Sequence, residues 1–196
     1  MKNSEGGFGQ HSEKSFKPMN PIQLKKILVV SDTHKKLIDF KKLLQIYENE
    51  ITDVIHLGDN CTDADDFIDL YENLNFHVVK GNCDYTQRCS DFKLATFEYA
   101  KIFMTHGHEY DVKFGLNTLC YEGLERNANI ILFGHTHSPL LEKVNDVIMM
   151  NPGSLSYPRG VVERTYAVIQ IDDDGVNCKI YDFSLGNSRV LKELSV

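Results

Sequence analysis

Residues 27–34 read ILVVSDTH, an apolar, mostly β-branched run that passes directly into polar residues. Such a run is typical of a strand buried on both faces of a parallel sheet. Apolar residues recur at helical spacing over 35–49 and predict a helix there. Apolar runs at 54–57 and 76–79 predict two further strands, on either side of a predicted helix over 63–73. The order β-α-β-α-β predicts parallel strands joined by right-handed crossovers.

The second half of the chain has a different rhythm. Strands are predicted at 95–99 and 102–104, joined by a tight turn at Ala100-Lys101, and a helix is predicted over about 112–126. Later apolar runs predict strands at 130–133, 140–144, 147–150, 165–171 and 177–183, with a hairpin turn at Asp173-Asp174-Gly175. Early βα units followed by antiparallel strands predict an α/β (α+β) fold with two packed sheets and helices outside.

The composition limits what kind of protein this chain can be. It has 196 residues, 42% hydrophobic and 25% charged, which suits one globular domain. The net charge of −7 argues against stable nucleic-acid binding, which draws on clustered positive charge. No apolar run approaches the ~20 residues of a membrane span, so no membrane partner is expected. Residues 1–23 are predicted to be a flexible tail before a single domain at 24–196.

The cysteines indicate a reducing compartment. There are five, an odd number without a CxxC pair, which argues against a disulfide framework or a zinc finger. We therefore expect a cytoplasmic protein, with homo-oligomer formation left open. Cys89, Cys120 and Cys178 are predicted to be small buried hydrophobic residues.

Polar residues follow five of the predicted strands. They are Asp32-Thr33-His34, Gly58-Asp59, Gly81-Asn82-Cys83-Asp84, Thr105-His106-Gly107-His108 and Gly134-His135-Thr136-His137. Taken singly, each segment has an ordinary alternative, such as Asp32 as a helix N-cap or Asp59 as a turn residue. Taken together, they could all lie at one carboxyl edge, where open α/β sheets place their ligands. The sequence therefore predicts a metal site made of carboxylate, amide and imidazole groups.

In this order, the motifs D-x-H, G-D, G-N-x-D, H and G-H-x-H resemble the calcineurin-like metallophosphoesterase superfamily. The variants G-N-C-D, T-H-G-H and N-P-G-S (residues 151–154) are similar to its small bacterial and archaeal phosphodiesterase branch. The resemblance covers residues 26 to about 185. It implies a four-layer αββα sandwich of two mixed β-sheets flanked by helices.

The resemblance also implies a centre of two divalent metal ions. It assigns Asp32, His34 and His137 to one ion, Asn82, His106 and His135 to the other, and Asp59 to both as a bridge. Ligands without thiolate suit Mn²⁺, which we expect first, with Ni²⁺, Fe, Zn²⁺ or Mg²⁺ as alternatives. Two such ions activate a shared water and clamp the oxygens of an in-line displacement. We expect phosphodiester hydrolysis by direct attack of a bridging hydroxide, with Asp59 and Asn82 also acting as catalytic residues.

One motif departs from the wider superfamily, where G-N-H is common and its histidine is the usual candidate proton donor to the leaving group. Cys83 stands at that position, and a thiol with a pKa near ~8.5 is a poor replacement. Substrates whose leaving group needs little protonation, such as aryl esters, should therefore be preferred. His108 is a candidate substitute acid, with a structural role beside His106 as the alternative. Arg159, in the loop NPGSLSYPRG, is a candidate phosphate ligand or, equally, a surface residue of a turn.

Three functions are compatible with these motifs. A phosphodiesterase acting on a small phosphodiester substrate is expected first. A phosphomonoesterase or phosphoprotein phosphatase would share the metal centre and differ only in its pocket. A non-catalytic scaffold, similar to the retromer subunit of this fold, would keep the architecture for partner docking. The complete ligand set favours catalysis.

Overall fold

The computed structural model describes residues 23–184 and 186–196. The predicted tail lies outside these residues, apart from Gln23. Within the described ranges, no helix has the length and apolar character needed to cross a membrane.

The described part of the chain forms eleven strands and three α-helices. In chain order they are β1 (Lys25–Val30), α1 (Leu37–Tyr47), β2 (Asp53–His56), α2 (Asp65–Ile68), β3 (Asn75–Val78), β4 (Phe92–Phe97), β5 (Ala100–Thr105), α3 (Asn117–Glu125), β6 (Ile130–Leu132), β7 (Leu140–Val144), β8 (Val147–Asn151), β9 (Arg164–Asp172), β10 (Gly175–Ser184) and β11 (Asn187–Ser195). Two short 3₁₀ helices lie at Cys61–Ala64 and His108–Tyr110.

The strands form two mixed sheets. The first has the order β11-β10-β9-β1-β2-β3, and its members β1, β2 and β3 are parallel neighbours. The remaining strands of this sheet join antiparallel. The second sheet has the order β4-β5-β6-β8-β7, with β5, β6 and β8 parallel and antiparallel strands at both edges. The predicted parallel opening and the predicted late antiparallel strands are both confirmed.

Alternation along the buried strands explains the layers. Ile27 and Val29 of β1 belong to the apolar cluster between the sheets, together with Ile102 of β5. Leu28 points to the other face, where α1 and α2 cover the first sheet, because successive strand residues face opposite sides. Phe103 points outward from the second sheet, where α3 covers it. The predicted four-layer αββα sandwich is therefore confirmed.

The predicted helix over 63–73 is wrong in extent. The chain forms the 3₁₀ turn at Cys61–Ala64 and then one turn of α2. The Leu74 side chain is buried in the core beside the start of β3. The helix already ends at Ile68, and two turns then bring the chain to that position: the Phe67 carbonyl accepts the Leu70 N–H at 3.1 Å, and the Tyr71 carbonyl accepts the Leu74 N–H at 2.9 Å.

The predicted turn between the first strands of the second sheet is also wrong. Ala100 begins β5 and pairs with Phe97, so the turn consists of Glu98 and Tyr99. Ala100 and Phe97 are buried, whereas the two turn residues are exposed and Glu98 has a left-handed φ of 55°. The predicted helix over 112–126 is shorter than expected and begins at Asn117.

The prediction for the cysteines is partly wrong. Cys61 and Cys89 form a disulfide that closes a separation of 28 residues, so Cys89 is not a free hydrophobic residue. The reason is topological, because the chain passes through β3 and returns to the loop after β2. Cys120 and Cys178 are free and buried, as predicted.

Candidate metal centre

Five of the predicted ligands follow strands whose carboxyl ends meet at one edge of the sandwich. Asp32, Asp59 and Asn82 come after the parallel strands β1, β2 and β3 of the first sheet. His106 and His135 come after the parallel strands β5 and β6 of the second. Because the sheets lie face to face, these loops converge in one cleft, as expected at the strand ends of an α/β fold.

Hydrogen bonds that involve the backbone join these loops, both within the second sheet and between the two sheets. The Nδ1–H of His106 donates to the carbonyl oxygen of Leu57 at 2.6 Å, and the Gly134 N–H donates to the His106 carbonyl at 3.0 Å. The His135 N–H donates to Asp32 Oδ2 at 3.2 Å. The fold itself therefore fixes the relative positions of the predicted ligands.

The backbone at this edge is strained. Five of the seven predicted ligands have a left-handed φ: Asp32 (55°), His34 (45°), Asp59 (57°), His135 (65°) and His137 (60°). Each such non-glycine residue costs on the order of 1–3 kcal/mol and persists only where its surroundings enforce it. The motif Gly134-His135-Thr136-His137 is therefore not an extended segment, and both of its histidines can face the cleft.

The first group of side chains is compact. His137 Nε2 lies 3.1 Å from Asp32 Oδ1 and 3.4 Å from His34 Nε2. His34 Nε2 lies 3.6 Å from Asp59 Oδ2. Ligand atoms of all four residues lie within 4.8 Å of one another, a spacing that could hold a metal ion.

A second group lies on the other side of Asp59. His106 Nε2 is 3.3 Å from Asp59 Oδ1 and 3.2 Å from Asn82 Oδ1. The ring centroids of His106 and His135 are 5.1 Å apart. The two carboxylate oxygens of Asp59 therefore face the two groups separately, Oδ2 toward His34 and Oδ1 toward His106.

The donor set fits bound cations. His106 and His137 each donate from Nδ1 to a carbonyl oxygen, that of Leu57 and that of Tyr157, so a neutral ring presents an Nε2 lone pair to the cleft. Those nitrogens face carboxylate and amide oxygens, which are acceptors as well. Asp32 Oδ1 is buried and has no hydrogen bond of acceptable geometry within the described chain. Either protons or metal cations must stand between these acceptors.

The pKa values agree with this description. Burial, together with the nearby charges of His106 and Lys113, lowers the pKa of His135 to about 4, so the ring is neutral at pH 7. Burial also disfavours charge on His137, but Asp32 raises the pKa of this histidine above its ordinary value. For Asp32, the neighbouring His137 and His106 outweigh burial and lower the pKa. A cation bound between His137 Nε2 and Asp32 Oδ1, which lie 3.1 Å apart, would take the place of a proton there.

Asp63 supports the loop after β1. Its Oδ2 accepts the Thr33 hydroxyl at 2.6 Å and the Lys35 N–H at 2.8 Å. The alternative role of Asp32 as a helix N-cap does not apply, because α1 begins after Lys36.

Asp84 and Gly81 support the loop after β3. The carboxylate of Asp84 accepts the N–H groups of Gly81 at 2.8 Å and of Cys61 at 2.9 Å. The Cys83 N–H donates to Asp59 Oδ1 at 2.9 Å. A Cβ on Gly81 would lie 2.2 Å from the same Asp59 oxygen, so only glycine allows this loop to approach the carboxylate.

A cavity of about 660 Å³ opens over both groups. It is lined by His34, Asp59, Asn82, Cys83, Lys113, His135, His137, Ser156, Tyr157, Pro158 and Arg159. Asp32 and His106 are fully buried behind this surface. The cavity is thus basic at its rim and acidic at its floor, as a site for a phosphate over cations requires.

The loop after β8 forms one wall of the cavity. Arg159 lines it, and its backbone N–H donates to the His137 carbonyl at 2.9 Å. Ser154 is buried, where its hydroxyl donates to the Asp32 carbonyl at 2.9 Å and accepts the Tyr157 N–H at 2.9 Å. This loop therefore ties Arg159 to the first group of ligands.

Cys83 and His108 are placed differently. Cys83 lines the cavity, and burial together with Asp59 raises the pKa of its thiol to about 11. His108 is not among the lining residues; its ring centroid lies 5.4 Å from that of His106 and 6.0 Å from that of His135. Burial and His106 lower the pKa of His108. Its role as an acid stays a prediction.

Sequence reasoning missed four lining residues: Lys113, Ser156, Tyr157 and Pro158. The last three lie within the loop NPGSLSYPRG and were within reach of the same argument as Arg159. Lys113 follows the fourth motif by five residues in an irregular segment, and no local pattern distinguishes it.

The fold and this centre match a known family. Residues 26–174 match the family model of the calcineurin-like phosphoesterase superfamily domain, and the chain belongs to this superfamily. The chain is 32% identical over 157 residues to the probable metallophosphoesterase YsnB of Bacillus subtilis, covering 80% of this chain and 90% of the relative. It is also 32% identical over 151 residues to a phosphodiesterase of Methanocaldococcus jannaschii, covering 65% and 82%.

Solved structures have the same architecture. A predicted phosphoesterase of Streptococcus pneumoniae superposes with a TM-score of 0.74 at 28% identity, covering 89% of this chain and 99% of that one. Wild-type Vps29 of Entamoeba histolytica, complexed with Zn²⁺, gives a TM-score of 0.69 at 22% identity, covering 87% and 98%. The second comparison concerns the fold alone.

Proposed function

We propose that this protein hydrolyses phosphodiesters at a centre of two divalent cations bridged by Asp59. The observation that carries the proposal is the position of the Asp59 carboxylate, whose two oxygens face two separate groups of ligands. One cation would be held by Asp32, His34 and His137, and the other by Asn82, His106 and His135. We expect Mn²⁺ first, because carboxylate, amide and imidazole ligands suit it.

The site supports hydrolysis of a small ester. Bound cations would supply a nucleophile by lowering the pKa of a water molecule and would neutralise charge on the phosphate. Arg159 lines the cavity and can bind a non-bridging phosphate oxygen with its planar guanidinium. The cavity volume of about 660 Å³ suits a small-molecule ligand. A relative named a phosphodiesterase supports the choice of a diester.

A panel of esters tests the proposal. We would load the protein with Mn²⁺, Ni²⁺, Fe²⁺, Zn²⁺ or Mg²⁺ and compare bis(4-nitrophenyl) phosphate, 4-nitrophenyl phosphate and cyclic nucleotides. Diester rates above monoester rates are expected. Monoester rates far above diester rates would favour a phosphatase, and no hydrolysis with any metal would favour a scaffold.

Asp59→Asn tests the bridge itself. Wild-type protein should bind two metal ions per chain, and the variant should bind one or none and lose hydrolysis, because a neutral amide bridges two cations poorly. Metal content would be measured by calorimetry and by elemental analysis after gel filtration. Asp146→Asn, in the exposed turn between β7 and β8, is the matched control and should behave as wild type. Full metal content and full hydrolysis in Asp59→Asn would overturn the assignment.

The remaining expectations about partners and location stay predictions. We expect a small phosphodiester substrate, no stable nucleic-acid binding and no membrane partner. The cytoplasmic location also stays a prediction, but the disulfide between Cys61 and Cys89 removes the argument from the cysteines, because disulfides are typical of oxidising compartments. Homo-oligomer formation stays open.

A further inference from the structure

One basic side chain in the wall of the cavity has no role so far. Lys113 lines the cavity, yet its ammonium makes no hydrogen bond or ion pair within the described residues. Six of the twelve other lysines in the described residues form ion pairs, such as Lys80 with Asp91 at 2.7 Å, and none of the other six lines this cavity. An unpaired ammonium at the rim of a cavity is free to meet a ligand.

The backbone around Lys113 is held in place. The preceding residue, Val112, is buried in the core beneath α3. It packs against Gly107, where an added Cβ would lie 3.0 Å from Val112 Cγ2 and where φ is 99°. The following residue, Phe114, donates its N–H to the Asp111 carbonyl at 2.8 Å. The fourth motif thus positions Lys113 through the contact between Gly107 and Val112.

The two unpaired cations of the cavity lie at different sides of the ligands. Lys113 follows Val112, which packs against Gly107 beside His106, whereas the Arg159 N–H donates to the His137 carbonyl at 2.9 Å. His135 belongs to the group around His106, and His137 to the group around Asp32. A phosphate centred over both groups would therefore meet a guanidinium at one side and an ammonium at the other.

The chemistry of the two side chains differs. A guanidinium binds two phosphate oxygens with its planar fork and keeps its protons. An ammonium is a compact point charge that can give up a proton to an alkoxide. An in-line displacement places charge on the leaving oxygen, opposite the attacking one. Lys113 is thus suited to the leaving oxygen and Arg159 to the non-bridging oxygens.

We propose that Lys113 is a catalytic residue that neutralises, and for alkoxide leaving groups protonates, the leaving oxygen of the diester. The inference rests on the proposed phosphodiesterase function. In this step the hydroxide oxygen forms a bond to phosphorus, and the bond from phosphorus to the leaving oxygen breaks with its electron pair on that oxygen. A proton passes from Lys113 Nζ to this oxygen, and water returns a proton to Nζ.

The test is the dependence of kcat on the leaving group. Methyl aryl phosphodiesters, from the 4-nitrophenyl to the phenyl ester, and dimethyl phosphate would be compared in Mn²⁺-loaded wild type, Lys113→Ala and Lys113→Arg. Lys113→Ala should lose about 10²-fold with the phenyl ester, a usual contribution of proton transfer, and much less with the 4-nitrophenyl ester. Lys113→Arg should recover part of the loss with aryl esters. Lys41 is an exposed lysine of α1 outside the cavity, and Lys41→Ala should show the same dependence of kcat on the leaving group as wild type.

A binding measurement tests whether the Lys113 ammonium reaches the bound phosphate at all. Inorganic phosphate places an oxygen on each side of phosphorus, so its calorimetric Kd on the Mn²⁺-loaded protein should weaken by about tenfold in Lys113→Ala and in Arg159→Ala, in the range of a lost charged hydrogen bond. Only Lys113→Ala should also change the dependence of kcat on the leaving group.

The outcomes can be told apart. An active wild type whose Lys113→Ala variant loses the same factor with every ester, or binds phosphate as tightly as wild type does, overturns the role of Lys113 alone. A wild type that hydrolyses no ester with any metal overturns the proposed function and this inference together.

Discussion

Two backbone carbonyl oxygens determine which ring nitrogen of His106 and of His137 can bind a cation. A carbonyl can only accept a hydrogen bond, so Leu57 and Tyr157 hold the proton of His106 and of His137 on Nδ1. Both rings therefore offer Nε2 to the cleft, and neither has to reorient when a cation binds. This preorganisation is a property of the backbone and not of the ligand side chains.

His108 provides a prediction at the same scale. In His108→Ala, the slope of log kcat against the pKa of the leaving group should equal that of wild type, because the ring does not line the cavity. The measurement uses the aryl ester series described for Lys113. A steeper slope in this variant would show that His108 is the proton donor and that Lys113 is not.

The metal ligands could be predicted from the sequence because each of them belongs to a recognisable motif. The seven predicted ligands are brought into one cleft because carboxylate, amide and imidazole groups follow parallel strands, and strand order decides where they meet. Lys113 was not predictable, because its position depends on the contact between Val112 and Gly107, which no spacing in the sequence reveals.

Strands could be predicted where their burial produces a recognisable apolar pattern in the sequence. β1 and β6 are continuous buried runs and were predicted within two residues. β11 was missed, because it is an edge strand whose residues are mostly exposed and have no apolar alternation. The disulfide was missed for another reason. It depends on the return of the chain beside the loop after β2, which only the tertiary fold defines.

This disulfide allows a prediction at the scale of elements. It joins the loop after Asp59 to the segment that carries Asn82, and it closes 28 residues. Constraint of the unfolded chain by a loop of this length is worth about 3–4 kcal/mol. The double variant Cys61→Ser/Cys89→Ser should therefore unfold at a lower urea concentration, with a free energy of unfolding reduced by about this amount.

Reductant provides the internal control for that prediction. Dithiothreitol should lower the urea midpoint of wild type to that of the double variant and leave the variant unchanged. The Kd for the second Mn²⁺ should rise both in reduced wild type and in the double variant. In both proteins the loop that carries Asn82 is no longer held by the disulfide. A wild-type midpoint that is insensitive to reductant would contradict the predicted stabilisation by the disulfide.

At the scale of the whole molecule, the centre lies where the two sheets meet. Asp32 and Asp59 come from the first sheet, and His106 and His135 come from the second. Cations held by ligands from both sheets would cross-link the sheets. They would also neutralise the carboxylate oxygens and imidazole nitrogens that face one another between the sheets. Metal binding should therefore stabilise the sandwich and not only the loops.

Calorimetric unfolding measures that coupling. At 100 times the Kd, one bound ion stabilises the folded state by about 2.7 kcal/mol. For a domain of this size, that amount raises Tm by about 5–10 °C. Mn²⁺ should produce at least this shift in wild type, EDTA should reverse it, and Asp59→Asn should keep half of it or less. An equal shift in Asp59→Asn would mean that the sheets are cross-linked without a bridging carboxylate, and that each group of ligands binds its ion independently.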